Sequence, residues 1–177
     1  DWSDRTTCVL FGDGSGAVVV QGLEGEAKPL GFSLGSDGAK ADLLYVPGIC
    51  SVPADGSHNG YYLAMEGKEV YKAAVNHMVK SARAAVESAG LSLSDIDLFI
   101  PHQANKRIID SAAEYLKLPS EKVFVNVHKY GNTSSASIPI ALCEAVEEDR
   151  LKVKDKVVMV GFGGGFSWGA MAIEWNP

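Results

Sequence analysis

The chain has 177 residues, 46% of them hydrophobic and 21% charged, with a formal net charge of −6. That length suits one domain, or one lobe of a larger one, with ample material for a buried core. The acidic balance and the lack of a basic stripe exclude general nucleic-acid binding, and no apolar run approaches the roughly 20 residues that a membrane helix needs.

The opening residues, Asp1 to Arg5, carry no signal-peptide pattern. Cys8, Cys50 and Cys143 make neither an even disulfide framework nor a metal-ligand pair by spacing, which implies reduced thiols in a cytoplasmic protein. Thr7 to Phe11 and Ala17 to Gln21 read as short strands, with Gly12-Asp13-Gly14-Ser15-Gly16 turning between them. No helical pattern follows those glycines, so they lack the strand–loop–helix context of a phosphate or dinucleotide loop. A structural turn is the better reading, and Cys8 then lies in a strand. Residues 24–29 are polar and glycine-interrupted, a crossing into a strand over Leu30 to Leu34. Between Ser36 and Gly60 the pattern is irregular, as loops that cover a site often are. His58, beside Asp55, receives no role there.

Tyr61 to Met65 is predicted as an edge strand. A long helix follows over Glu69 to Ala89, with Tyr71, Val75, Met78, Ala82, Val86 and Ala89 near a 3.6-residue period and Gly90 as its left-handed stop. His77 stands among polar neighbours and is predicted to be exposed. Ser92 to Asp95 fits a single capped turn. Ile96 to Ile100 reads as a buried strand closed by Pro101, which cannot donate to a ladder. His102 then sits in the loop at the carboxyl end of a strand, where open α/β sheets place ligands. Ile108, Ile109, Ala112, Ala113 and Leu116 mark the next helix, ending at Leu118-Pro119. Lys122 begins a further strand, Val123 to Val127, which delivers the loop Tyr130 to Ser137 and with it Asn132.

A helix over Ser134 to Arg150 tolerates Pro139 near its first turns and places Cys143 inside it as a packed residue. Strands at Val157 to Val160 and Ala170 to Trp175 flank the glycine run Gly161 to Phe166. This order of elements argues for a layered α/β sheet, with the first strands belonging to a partner lobe. His102 alone would be read as a structural histidine. Paired with Asn132 on a second strand-to-helix loop, it becomes a catalytic candidate, because neutral imidazole and carboxamide both offer N–H donors to a developing oxyanion.

Four segments carry a family resemblance: LFGDGSGAVVV (10–20), PHQANKRII (101–109), GNTSSASIP (131–139) and GFGGGFSWGA (161–170). They are similar to the β-ketoacyl-acyl-carrier-protein synthase III family, thiolase-fold condensing enzymes that start fatty-acid chains, over the family's second half. The resemblance implies that residues 1–29 are terminal strands of an N-terminal lobe and 30–177 a βαβαβαββ-type C-terminal lobe. It implies a decarboxylative Claisen condensation of an acyl-CoA, usually acetyl-CoA, with malonyl-acyl-carrier protein, both substrates, with no cofactor and no metal. His102 and Asn132 match the family's two catalytic residues other than cysteine, and Gly164 the glycine whose N–H helps form an oxyanion hole. Phe162 is expected to line the pocket. Asn105 and Arg107 match positions linked to the pantetheine arm and to carrier-protein docking, with Lys106 adding positive charge.

Lys68, where relatives often carry asparagine, and Tyr71, where phenylalanine is common, leave acyl and carrier preference open. The family's nucleophilic cysteine lies in the first half, at a helix start, and none of the three cysteines here fits it. The chain alone is therefore expected to be inactive, and the complete subunits to form a homodimer with no membrane or nucleic-acid partner. Two alternatives stand beside this: a related polyketide- or quinolone-type acyltransferase lobe, and a stand-alone, non-catalytic module that binds carrier protein.

Overall fold

A computed structural model describes residues 1–22, 24–25, 30–47 and 62–177. Within them lie strands β1 (Leu30–Ser36), β2 (Leu44–Tyr45), β3 (Ala64–Met65), β4 (Leu98–Pro101), β5 (Lys156–Gly163) and β6 (Ser167–Glu174). The helices are α1 (Gly67–Ser88), α2 (Lys106–Leu116), α3 (Val127–Tyr130) and α4 (Ser137–Glu147).

Strands β1, β6, β5 and β4 form one mixed sheet in that order, and β2 pairs with β3 separately. The glycine run closes β5 onto β6 as an antiparallel hairpin; β1 adds antiparallel to β6 and β4 parallel to β5. Side chains alternate across a strand, and the sheet sorts them accordingly. Phe99, Val158, Val160, Ala170 and Ala172 face a core built by α1 and α2. Leu98, Ile100 and Val157 face the other way, onto Ala141, Leu142 and Ala145 of α4.

Helix α1 buries Val70, Ala73, Ala74, Val75, Met78, Ala82, Ala85 and Val86 along one stripe. Burying Met78 or Val86 fully contributes about 1.5–3 kcal/mol each, and the alanines between them let the helix lie close to the sheet. Gly90, at φ 71°, ends it as expected. A capping box at Ser92 closes the short turn over Leu93–Asp95. Helix α4 packs at the β4 end of the sheet. Leu30, Phe32, Leu34 and Met171 continue the same sheet face beyond it and are exposed.

Several elements differ from the sequence reading. Residues 7–10 form turns and residues 17–21 no strand, because among the described residues no neighbouring strand offers them a ladder; Val18, Val19 and Val20 stand exposed. Cys8 accordingly lies in a turn. Of Tyr61 to Met65 only Ala64 and Met65 pair; Tyr61, Cys50, Asp55 and His58 fall outside the described residues. Pro101 closes the strand as its last paired residue, opposite Val160, but the strand begins at Leu98 rather than Ile96.

The predicted strand Val123 to Val127 shrinks to one bridge between Phe99 and Val123, with Lys122 in a preceding 3-10 turn. The side chain of Gln103 takes the backbone N–H groups of Asn126 and Val127, at 2.9 and 3.2 Å, which a longer ladder would have used. The helix predicted from Ser134 starts at Ser137 after a 3-10 turn and ends at Glu147. Cys143 is exposed on it rather than packed, beside Glu147, whose negative charge pushes the thiol pKa up. His77 is not exposed: its ring stacks on Trp168 at 3.7 Å, with Nε2 buried and, among the described residues, without a hydrogen-bond partner. Burial lowers its pKa.

Candidate active site

The last ladder bond of β4 is donated by the His102 N–H to Val160 O at 2.7 Å, so the sheet itself fixes where the imidazole leaves it. The ring meets Phe162 edge-on at a centroid distance of 5.4 Å, and Nδ1 lies 2.6 Å from Ser137 Oγ. His102 is 8% exposed. Desolvation lowers its pKa from 6.5 to about 4, so the ring is neutral at pH 7.

The folded chain thus binds this proton only near pH 4, whereas an unfolded histidine binds it near 6.5. Between those values the unfolded state holds more protons. Stability is therefore complete above about pH 6.5 and falls as the pH drops toward 4, by roughly 3 kcal/mol for this group. Denaturant unfolding of the full-length protein at pH 7 and pH 4.5 checks this, with a shallower pH dependence expected for His102→Gln.

Asn132 is held by three backbone contacts. Its N–H donates to Leu10 O at 2.8 Å and its carbonyl accepts from Gly12 N–H at 2.9 Å, while its Oδ1 accepts from Ser134 N–H at 2.9 Å. With the carboxamide oxygen engaged, the Nδ2 group is the end left for the cavity. A Cβ on Gly12 would lie 2.1 Å from Tyr130 O. The glycines after Phe11 thus serve close approach to the Asn132 loop, and residues 12–20 form no hairpin turn. Behind the loop, Glu144 of α4 accepts from Asn126 Nδ2 at 2.8 Å and from the Tyr130 hydroxyl, and pairs with Lys129 at 3.4 Å.

His102, Asn132, Asn105, Phe162 and Gly164 line one cavity of about 400 Å³, closed by Leu10, Phe11, Leu44, Val70 and Ile108 among others. That falls within the ~300–1,000 Å³ of small-ligand sites, with an apolar lining and few convergent polar groups. Gly164 occupies the hairpin tip; a Cβ there would come within 2.7 Å of Leu44 O, so only glycine lets the two backbones meet.

Arg107 and Lys106 sit apart from the cavity, on an adjoining groove lined by Lys68, Tyr71, Lys72 and Asn105. Arg107 lies 5.8 Å from the Tyr71 ring centroid. Lys106 is paired with Asp110 at 2.6 Å and Lys72 with Glu69 at 2.8 Å. Asn105 touches both spaces, and its Oδ1 caps α2 by accepting from Ile108 N–H at 3.0 Å. Among the described residues no cluster of three His, Cys, Asp or Glu could hold a metal ion, and no helix is long and apolar enough to cross a membrane.

Three supporting residues escaped the sequence reading. Gln103 is 1% exposed and fully engaged: Nε2 donates to Pro101 O and Phe124 O, and Oε1 accepts from Asn126 and Val127. Ser137 and Glu144 are the others. The only sequence signal for Gln103 was its place beside His102; Ser137 and Glu144 gave none, because their partners lie 14 to 35 residues away.

The layered sheet, with its two donor-bearing loops at one end, is thiolase-like. Residues 86–175 match the family described as 3-oxoacyl-acyl-carrier-protein (ACP) synthase III C terminal, and residues 1–38 match 3-oxoacyl-acyl-carrier-protein (ACP) synthase III. The chain belongs to this synthase III family. It is 50% identical over 177 residues to the beta-ketoacyl-acyl-carrier-protein synthase III of Oceanobacillus iheyensis, covering 99% of this chain and 53% of that one. To the protein of the same name from Roseiflexus castenholzii it is 48% identical over 180 residues, covering 99% of this chain and 54% of the relative. The crystal structure of 3-oxoacyl-(acyl carrier protein) synthase III from Pseudomonas aeruginosa PAO1 superposes with a TM-score of 0.90 at 40% identity, over 100% of this chain and 54% of that chain. The chain thus spans about half the length of the curated relatives it matches.

Proposed function

We propose that this chain is the carboxyl-terminal part of an enzyme that condenses an acyl-CoA with malonyl-acyl-carrier protein. Residues 1–29 belong to its other lobe, and 30–177 form the lobe that carries the donors. The observation behind this reading is that a neutral, buried imidazole and an oriented carboxamide line one apolar cavity from separate loops.

In this reading an enzyme cysteine first takes the acyl group from coenzyme A. We assign that cysteine outside this chain, to the family's first half: the Glu147 carboxylate disfavours a thiolate at Cys143, Cys8 sits half-buried in a turn, and Cys50 lies outside the described residues. The bond between the malonyl carboxylate and its methylene carbon then breaks. Carbon dioxide leaves, and the electron pair stays as an enolate with its charge on the thioester oxygen. His102 and Asn132 donate N–H groups to that oxygen. The enolate carbon attacks the acyl thioester, the Gly164 N–H receives the new oxyanion, and the cysteine thiolate departs, leaving β-ketoacyl-carrier protein. Fixed donors lower such a barrier because they need no reorganisation as charge appears.

Arg107, with Lys106 at the rim, would meet the carrier protein's acidic surface, and Asn105 and Phe162 the pantetheine arm. Arg107→Glu is expected to weaken carrier-protein binding about tenfold, about 1.4 kcal/mol, with the rate of acyl transfer from coenzyme A unchanged. Lys106→Glu should do less, since Asp110 already pairs with that ammonium. Titration calorimetry of the full-length protein with carrier protein measures both. The reading as a whole is tested by mass spectrometry of carrier protein after incubation of the full-length protein with acetyl-CoA and malonyl-carrier protein. A β-ketoacyl product is expected; malonyl-carrier protein left intact would refute it.

A further inference from the structure

Two loops deliver His102 and Asn132, and a single buried hydroxyl joins them. Ser137 is the first residue of α4, five positions after Asn132, and only 2% exposed, whereas Ser134 and Ser135 nearby are exposed. Among the described residues its hydroxyl bonds to His102 and Gln103 rather than to its own helix. Its Oγ lies 2.6 Å from His102 Nδ1 and accepts from the Gln103 N–H at 3.2 Å.

A hydroxyl has one proton to give and two lone pairs to receive with. The Gln103 N–H can only donate, so it occupies one lone pair. If Nδ1 also carried a proton and filled the second, the hydroxyl proton would need an acceptor of its own. Among the described residues Ser137 Oγ has no other hydrogen-bond neighbour, and an unmet donor in so buried a place is disfavoured. The hydroxyl proton therefore goes to Nδ1. A neutral ring must then carry its own proton on Nε2, for which no partner exists among the described residues, on a side chain that lines the cavity.

We infer that Ser137 is a positioning residue that fixes the His102 tautomer, holding the ring proton on Nε2 and aiming it into the cavity. This rests on the reading of His102 as a donor to the enolate. The same hydroxyl keeps the His102 loop in register with the helix that follows Asn132, so both donors share one reference point.

Long-range ¹H–¹⁵N spectra of histidine-labelled full-length protein at pH 7 test this without any substitution, His102 being assigned by its loss in His102→Gln. The expected spectrum shows a neutral ring protonated at Nε2 and bare at Nδ1; a proton on Nδ1 would overturn the inference. In Ser137→Ala the ring should become a mixture of tautomers. Decarboxylation of malonyl-carrier protein should fall about tenfold to a hundredfold, as with other partners that orient a histidine, while acyl transfer from coenzyme A stays unchanged. Ser137→Thr, which keeps the hydroxyl, should restore the rate. A folded Ser137→Ala that loses both half-reactions equally, or neither, would contradict the inference. Undiminished decarboxylation in His102→Ala would remove the donor reading alone; the wild-type spectrum decides the tautomer by itself.

Discussion

His102→Ala in the full-length protein is expected to slow malonyl-thioester decarboxylation by about 10²–10³-fold, as does loss of one donor from an oxyanion site, about 2.7–4 kcal/mol. Acyl transfer onto the enzyme cysteine should change little, because in the proposed mechanism backbone N–H groups, not the imidazole, receive its oxyanion. Asn132→Ala should behave alike. The two rates are read separately, by carbon dioxide release from malonyl-carrier protein and by coenzyme A release from acetyl-CoA. Equal loss of both would assign these residues to the framework instead. His102→Gln adds a control: it keeps an N–H donor but not the imidazole shape, and should fall between wild type and alanine.

The second large effect concerns stability. Gln103→Leu keeps the volume but removes the acceptor shared by the Asn126 and Val127 N–H groups and the donor to the Pro101 and Phe124 carbonyls. A buried polar group left unsatisfied costs about 1–3 kcal/mol. Better burial of the leucine offsets part of this, so a net loss of roughly 2–4 kcal/mol is expected. Denaturant unfolding of the full-length protein measures it. Gln103 also ties the strand bearing His102 to the segment that leads toward Asn132, so activity should fall further than the stability loss alone explains. An unchanged unfolding midpoint would show that water or a rearranged backbone satisfies those groups.

How far the sequence carried depends on how local each determinant is. The stripe from Val70 to Val86, the stop at Gly90 and the strand before His102 rest on neighbours within a few positions, and each was legible. The strand-to-helix loop expected for His102 follows β4, but Asn132 follows the short helix α3 rather than a strand, even though both residues line one cavity. The failures all involve distant partners. His77 reads as polar surface from Asn76 and Lys80, yet what covers it is Trp168 on β6. Val123 to Val127 has every local mark of a strand, and a side chain from another loop claims its donors. The valines at 18–20 also have strand propensity, but among the described residues no neighbouring ladder takes them up, and propensity alone makes no strand. Ser137 could not be distinguished from Ser134 and Ser135 until burial separated them.

Cys143 teaches the same lesson on a helix. Its position suggested a packed interior residue, but α4 turns that side to the surface, and Glu147 one turn later makes the thiol a poorer nucleophile.

The imidazole N–H and the carboxamide N–H are expected to reach the same oxygen. A crystal structure of the full-length protein with a non-hydrolysable malonyl-thioester analogue tests it most directly. The expected result places the thioester oxygen about 2.7–3.1 Å from both His102 Nε2 and Asn132 Nδ2. An oxygen bound by only one of them, or by neither, would contradict the account.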